Sequence, residues 1–499
     1  MTAPQPDEDP VVSSQPKPSM RLATKLQFLG EKFIRRRVEH AIVRRNTEMW
    51  DDPMQFYDRA DYTGYGLAAV VAIICVLLAF LKAQGAANGA QIVADINSNQ
   101  LWVLEGSTAR PMLNLTSARL FAGQNATPKR VKPTEISSLS TKQVTGIPGA
   151  PWDTPIAPPS DGSYWSICDT ASDIRSVSPS VAVSVLADQP EYSPTAELTG
   201  GRSAVTTFRG QTFLVDSAGR HPIDMANAAV TAAINLPPAP RAIPLSEATY
   251  NALAPAASIA LDPIAAAGDP NTVGLDPSIS IGTVITDSAT SSKQMYVVMP
   301  DGLAKVNAAT AAALRNTNTY GHIDPPIVAA DKISAIASRE YTSPLQTVTV
   351  VDRSAEPVLC WNWSKTGAES TVPQITVTTT NQIPLSAAKR VTQVHQITTG
   401  VTVYPSGAGK NGTEPVGRFV RIINPIGAQE ARFYMDRQGV RYGVPDVKDG
   451  EHMGLTSPQA APWPVLARLA TGPDLTAASA GLEHDSVLND SNPRGAKSR

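Results

Sequence analysis

Three things are scarce in this sequence. Of its 499 residues only three are cysteine, only 17% are charged and only 6% are aromatic, with a formal net charge of -2. The near balance of charge argues against a nucleic-acid partner, because there is no surplus of cations to neutralise phosphates. The six histidines, His40, His221, His322, His395, His452 and His484, are scattered and none forms an HExxH pair. No cysteine has a CxxC neighbour, so a metal centre is not expected. A GxSxG nucleophile elbow is also missing. GAGKNGT at 407–413 comes nearest to a phosphate cradle, but that motif needs glycine where Tyr404 stands and Ser or Thr where Asn411 stands. It reads as a loop between strands. These absences point away from catalysis: no catalytic, cofactor-binding or metal-ligating residue is assigned.

Long apolar runs are scarce too, and the one that exists is informative. GYGLAAVVAIICVLLAFLK, residues 64–82, contains Gly64, Leu67, Ile73, Leu78 and Phe80 and is apolar on every side until Lys82 closes it. About 18 helical residues span about 27 Å, close to the hydrocarbon thickness of a bilayer. A secretory signal would sit nearer the start of the chain and be shorter, although AQGAANGA at 83–90 has some character of a cleavage site. A buried core helix is the alternative, set against a run that is apolar all round and closed by Lys82. The reading is a single transmembrane helix over 63–82. Arg21, Lys25, Lys32, Arg35, Arg36, Arg37, Arg44, Arg45 and Arg59 precede it, whereas Lys82 alone is basic beyond it until Arg110. The positive-inside rule then leaves the N-terminus in the cytosol and the bulk of the chain outside the membrane.

The remaining organisation follows from composition and periodicity. Residues 1–20 are polar and proline-rich and read as a disordered tail. Residues 21–62 hold a basic amphipathic helix, with Leu22, Leu26, Leu29 and Phe33 at helical spacing, suited to anionic lipid, to a cytosolic partner or to solvent alone. With 42 prolines, 33 glycines and few aromatics, residues 83–484 read as α+β, leaning to β. Within them a grammar recurs at 101–120, 212–230, 295–314 and 432–446: an apolar strand, a turn at Gly106, Gly219, Gly302 or Gly439, and a second strand. Glycine suits such a corner because a left-handed backbone costs it little. In the first three copies an alanine-rich helical segment follows. This gives four modules near 91–122, 205–235, 290–316 and 425–450 around a central core. The proline-rich stretches 147–159, 236–244 and 324–327 read as semi-rigid linkers between modules. Residues 485–499 read as a flexible tail.

Cys75 lies inside the span, while Cys168 and Cys360 fall in the outer compartment, where disulfides persist. A bond between them would close a very long loop. Two unpaired buried thiols are the alternative. His221 lies in a repeat hairpin whose other copies carry Arg110, Ala304 or Arg441 nearby, which favours a structural role.

RRRVEHAIVRRNTEMWDDPMQFY (35–57), LNLTSARL (113–120), GIPGAPW (146–152), WSICDT (165–170), MPDGLAKVNAATAAALR (299–315) and QGVRYGVP (438–445) closely resemble the EccB family of mycobacterial type VII (ESX) secretion systems. LEHDSVLND (482–490) and APWPV (461–465) are most similar to the paralogue serving the system that exports the early secreted antigen pair. The resemblance implies a core component of an inner-membrane machine, assembled with EccC, EccD and EccE in a hexameric arrangement and oligomerising through its periplasmic domain. On that basis Arg35, Arg36, Arg37, Arg44 and Arg45 are expected to dock onto neighbouring subunits. It also implies repeats similar to cell-wall-binding modules, which makes a peptidoglycan anchor the alternative function. Members are sometimes labelled ATPases. ATP would be a cofactor only if that label applies, and the failed phosphate motif speaks against it here.

Overall fold

In the computed structural model the apolar run is helical from well before Gly64. The structure describes residues 25–46, 53–81, 85–158, 162–176, 179–288, 294–342, 345–367, 372–405, 416–423 and 429–485. The expectations for residues 1–20, 407–413 and 486–499, and for Lys82, concern residues outside this set. The chain divides into two units, 1–84 and 85–499.

In the first unit, helix α1 covers Lys25–Arg44 and helix α2 covers Pro53–Leu81. Arg45 ends the first by taking a left-handed backbone, φ 53°. Pro53 opens the second at a position where its missing N–H costs nothing. One 29-residue helix thus runs through both the expected juxtamembrane segment ending at 62 and the expected span starting at 63. Its 20-residue stretch Arg59–Leu78 has the length and apolarity to cross a bilayer, and none of it is buried in the protein.

The second unit is built on a six-stranded sheet in the order Gln374–Thr380, Val358–Thr366, Gly162–Ser172, Ser180–Leu186, Thr402–Tyr404, Val394–His395. Its two long central strands are antiparallel, with Trp363 opposite Trp165, Trp361 opposite Ile167 and Cys360 opposite Cys168. Strand periodicity gives the faces different work. Trp165, Ile167, Leu359, Trp361 and Trp363 enter the largest apolar cluster, while Cys168, Val358, Cys360 and Leu186 form a smaller one on the other side.

Four smaller sheets share one connectivity. The first has strands Ile92–Asp95, Leu101–Glu105 and Thr108–Met112, helix Leu115–Ala122, strand Lys129–Val131, helix Pro133–Ser137 and strand Ser140–Thr141. The fourth strand returns parallel to the first, and the last lies parallel to the third. The third sheet repeats this with Val284–Asp287, Met295–Met299, Gly302–Val306, helix Ala308–Thr317, Ile327–Val328, helix Ala330–Ala335 and Ser338–Arg339. In the second sheet Ile243–Pro244 returns beside Arg202–Phe208, and in the fourth Gln459–Ala461 returns beside Arg418–Ile423. There isolated bridges replace the last strand, Arg220 to Pro255 and Ile223 to Ile259 in the second sheet and Arg441 to Thr471 in the fourth.

Each unit thus extends beyond the expected hairpin and helix, and the fourth also has its helix, Val447–His452. The boundaries 91–122, 205–235, 290–316 and 425–450 stop short of the returning strands. The proline stretches at 236–244 and 324–327 lie inside units, each leading into a returning strand, and are not spacers between them. Proline is tolerated there because these strands are short and at the sheet edge. The described part of the stretch expected at 147–159 packs instead of spacing: Ile147 is buried with Leu120, Tyr434, Tyr442 and Leu455, which joins the first sheet to the fourth. Val230 and Ile234 of the second meet Ala309 and Ala313 of the third in the same manner.

Candidate assembly site

The centre of the outer unit is held by two different devices on opposite faces of one strand. Cys168 and Cys360, both fully buried, are disulfide-bonded across 192 residues of sequence. The next residue, Asp169, is 1% exposed and turns to the tryptophan face. Its carboxylate accepts the Ser246 N–H at 2.8 Å, the Ser246 hydroxyl at 2.6 Å and the Thr249 hydroxyl at 2.7 Å, anchoring the start of helix Glu247–Ala252 of the second repeat. Burial pushes the Asp169 carboxyl up, and these bonds with the nearby Arg353 charge oppose the shift. Arg353, 4% exposed, donates to the Pro357 carbonyl at 3.1 Å and is pushed down to about 10 by burial, with Asp169 and Glu356 opposing. Glu356 in turn accepts both Arg202 Nη2 contacts at 2.6 Å and the Thr379 hydroxyl. This polar seam ties the second sheet to the central one.

Beside it lies a groove of about 700 Å³ walled by Tyr192, Thr195, Glu356, Thr379, Leu385 and Arg390, among others. Its main carboxylate is already engaged by Arg202, and nothing in it forms a nucleophile–base pair. Among the described residues no three His, Cys, Asp or Glu side chains cluster as metal ligands.

The turn glycines divide into two kinds. Gly106 and Gly439 hold left-handed backbones, φ 57° and 78°. Gly302 does not: it begins its strand, and a Cβ there would overlap the Ala337 carbonyl, which accepts the Leu303 N–H at 2.8 Å. The expected reason for glycine is therefore wrong at that position, where room for the last strand is what matters. Gly219 combines both demands, with φ 133° and the Ala254 carbonyl in the Cβ position. His221 bridges Asp216 Oδ1 at 3.2 Å and the Ala257 carbonyl at 2.9 Å. The Asp216 bond raises its pKa against the pull of burial.

In the first unit Arg35, Arg36, Arg37 and Arg44 belong to α1 and Arg45 follows it. Arg35 pairs with Glu39 at 3.8 Å on the exposed surface, which is worth little. Phe28, Ile34, Val38 and Ile42 are exposed beside these cations. On α2, Leu67, Ile73 and Leu78 are exposed, and Gly64 and Phe80 lie within the helix.

The sharpest repeated feature escaped the sequence reading. Asn114, Asn227 and Asn307 each cap the helix after the third strand, their side chains accepting the N–H of Ser117, Val230 and Thr310. Asp446 caps the fourth through the Lys448 N–H. Gln100 and Gln294 also match, each donating to two carbonyls across a hairpin, Leu101 and Met112 or Met295 and Val306. An Asn immediately before a helical run was the signal available.

The family described as type VII secretion system ESX-1, transport TM domain B, matches residues 20–489. The chain belongs to this family, EccB. It is 40% identical over 479 residues to the ESX-1 secretion system ATPase EccB1 of Mycobacterium tuberculosis, covering 95% of this chain and 98% of that protein. The EccB1 of Mycolicibacterium smegmatis is 40% identical over 482 residues, with the same coverage. A chain in the structure of an intact ESX-5 inner membrane complex superposes with TM-score 0.73 at 27% identity, over 96% of this chain and 99% of that one. The EccB3 dimer from the ESX-3 core complex gives 0.68 at 27%, over 79% and 100%.

Proposed function

We propose that this EccB chain is a structural and assembly subunit of a type VII secretion complex in the inner membrane. The observation that carries this reading is the full-length match to a chain of an inner-membrane complex, membrane helix and outer sheets together. In it α2 crosses the bilayer once with the arginine-rich α1 in the cytosol, and the outer unit oligomerises in the periplasm through its repeat modules above the translocation pore. EccC, EccD and EccE are the partners, with Arg35, Arg36, Arg37, Arg44 and Arg45 docking onto them. The relatives' names contain the word ATPase. We assign hydrolysis to another subunit, because residues 404–411 depart from the phosphate-loop pattern twice.

The test is purification of the tagged full chain from detergent-solubilised membranes, reading native mass and composition. A multi-copy complex containing the other core components is the expected result, and a lone monomer overturns the reading. Nucleotide hydrolysis by the full chain freed of its partners would overturn the non-enzymatic part, and retention of that same sample on cell wall would favour an anchor.

A further inference from the structure

The second and fourth sheets offer an internal comparison. Arg220 lies opposite Val215 in its hairpin, with Phe213 two residues before Val215; Arg441 lies opposite Met435, with Phe433 two residues before. Both arginines bond the last segment of their unit identically. The Arg220 N–H donates to the Ala254 carbonyl and its carbonyl accepts from Ala256, while Arg441 does the same with Ala470 and Gly472. Each guanidinium lies on an aromatic ring of the unit's second helix, Arg220 on Tyr250 at 4.0 Å and Arg441 on Trp463 at 5.1 Å. Phe213 and Phe433 complete the two corners, 5.6 Å from Tyr250 and 6.1 Å from Trp463.

The difference lies in what each charge meets. Arg220 Nη1 donates to the Tyr250 carbonyl at 2.8 Å and to the Leu253 carbonyl, so its guanidinium is engaged from within. In the fourth sheet the equivalent helix is only Trp463–Leu466, and among the described residues no carbonyl or carboxylate receives the Arg441 side chain. Its Nε is buried without a partner, as is that of Arg468, two residues before Ala470. Burial lowers the Arg441 pKa, and no acid opposes it. Trp463 is 45% exposed, leaving a flat apolar surface beside a cation that touches the Trp463 and Phe433 rings and whose Nε has no hydrogen-bond partner.

We propose that the Arg441–Trp463 corner is a binding site for an anionic oxygen group, a carboxylate or a phosphate, carried by a ligand with a flat apolar body that lies on the indole. The guanidinium fork supplies paired donors matched to such a group, and the aromatic pair holds the fork in place. The second sheet, having satisfied its own arginine, has no such site.

The full chain in detergent is titrated with phenyl phosphate, benzoate and, as the neutral control, phenol, and binding is read as quenching of the emission lost in Trp463→Phe. Both anions should quench saturably and phenol should not; whichever anion binds tighter names the natural group, and either order supports the site. Arg441→Met should weaken binding about tenfold or more, with its melting temperature close to the parent's. Arg220→Met should bind unchanged yet melt lower, since it loses two internal hydrogen bonds. Should Arg441→Met fail to fold, Arg441→Lys, a cation without the fork, should bind with intermediate strength. Undiminished binding by the Arg441 variants, equal quenching by phenol, or no saturable response to either anion overturns the proposal.

Discussion

The carboxylate of Asp169 accepts the Ser246 backbone N–H at 2.8 Å, so a residue of the central sheet holds in place Ser246, the residue that caps a helix of the second repeat. Beside Cys168, it makes one strand the meeting point of a covalent and a polar tie. Asp169→Ala removes three hydrogen bonds and leaves Arg353 buried with less compensation. The expected loss is about 3–5 kcal/mol, measured by guanidinium unfolding followed through tryptophan fluorescence.

The disulfide closes 192 residues. In the chain-entropy model a loop of that size restricts the unfolded chain by about 5 kcal/mol. Cys168→Ala with Cys360→Ala should therefore shift the unfolding midpoint strongly, and dithiothreitol should have no further effect on the double variant. An unchanged midpoint would show that the cross-link contributes nothing.

Glycine substitutions should separate by mechanism. At Gly106, open space surrounds the Cβ position and only the left-handed backbone is strained, so alanine should cost about 1–2 kcal/mol. At Gly219 and Gly302 a carbonyl occupies the Cβ position, and alanine should displace the last strand and cost more. Melting temperatures of the three variants give the order.

Loss of a helix cap typically costs about 1 kcal/mol. Asn114→Ala and Asn307→Ala should exceed Asn227→Ala, because these two asparagines also donate to the Ile147 and Leu345 carbonyls. Equal losses at all three positions would count against that second bond.

The His221–Asp216 pair makes stability depend on pH. The histidine pKa is raised in the folded chain, so its contribution is complete below its unfolded value of about 6.5 and fades as pH rises through the folded value. Burial works against Asp216, but His221 and the Ala218 N–H hold its pKa below the usual range, so its contribution is present above about 3.9 and fades on acidification. His221→Gln should lower the melting temperature more at pH 5.5 than at pH 8.

Much of this architecture was legible because its signals are local. The apolar run announces its helix, and two cysteines beyond it leave one pairing. Hairpins around Gly106 and Gly439 carry their own turn chemistry. The returning strands were not legible. Ile243–Pro244 and Ile327–Val328 are two residues long, too short for periodicity, and follow prolines that look like spacers. Asp169 and Arg353 were missed for another reason: a buried charge is recognisable only by its surroundings, and 184 positions of numbering separate these two. The site at Arg441 is harder still, since it is defined by comparison with Arg220 in another sheet.

The last described strand, Glu483–His484, joins the edge of the first sheet beside Val144–Thr145, and Glu483 pairs with Arg110 there. The outer unit's two ends are consequently stitched into a single loop of polypeptide. Trimming the chain back past Glu483 would unfasten this edge of the first sheet, and a fusion placed after His484 would emerge beside the sheet with which the second unit begins.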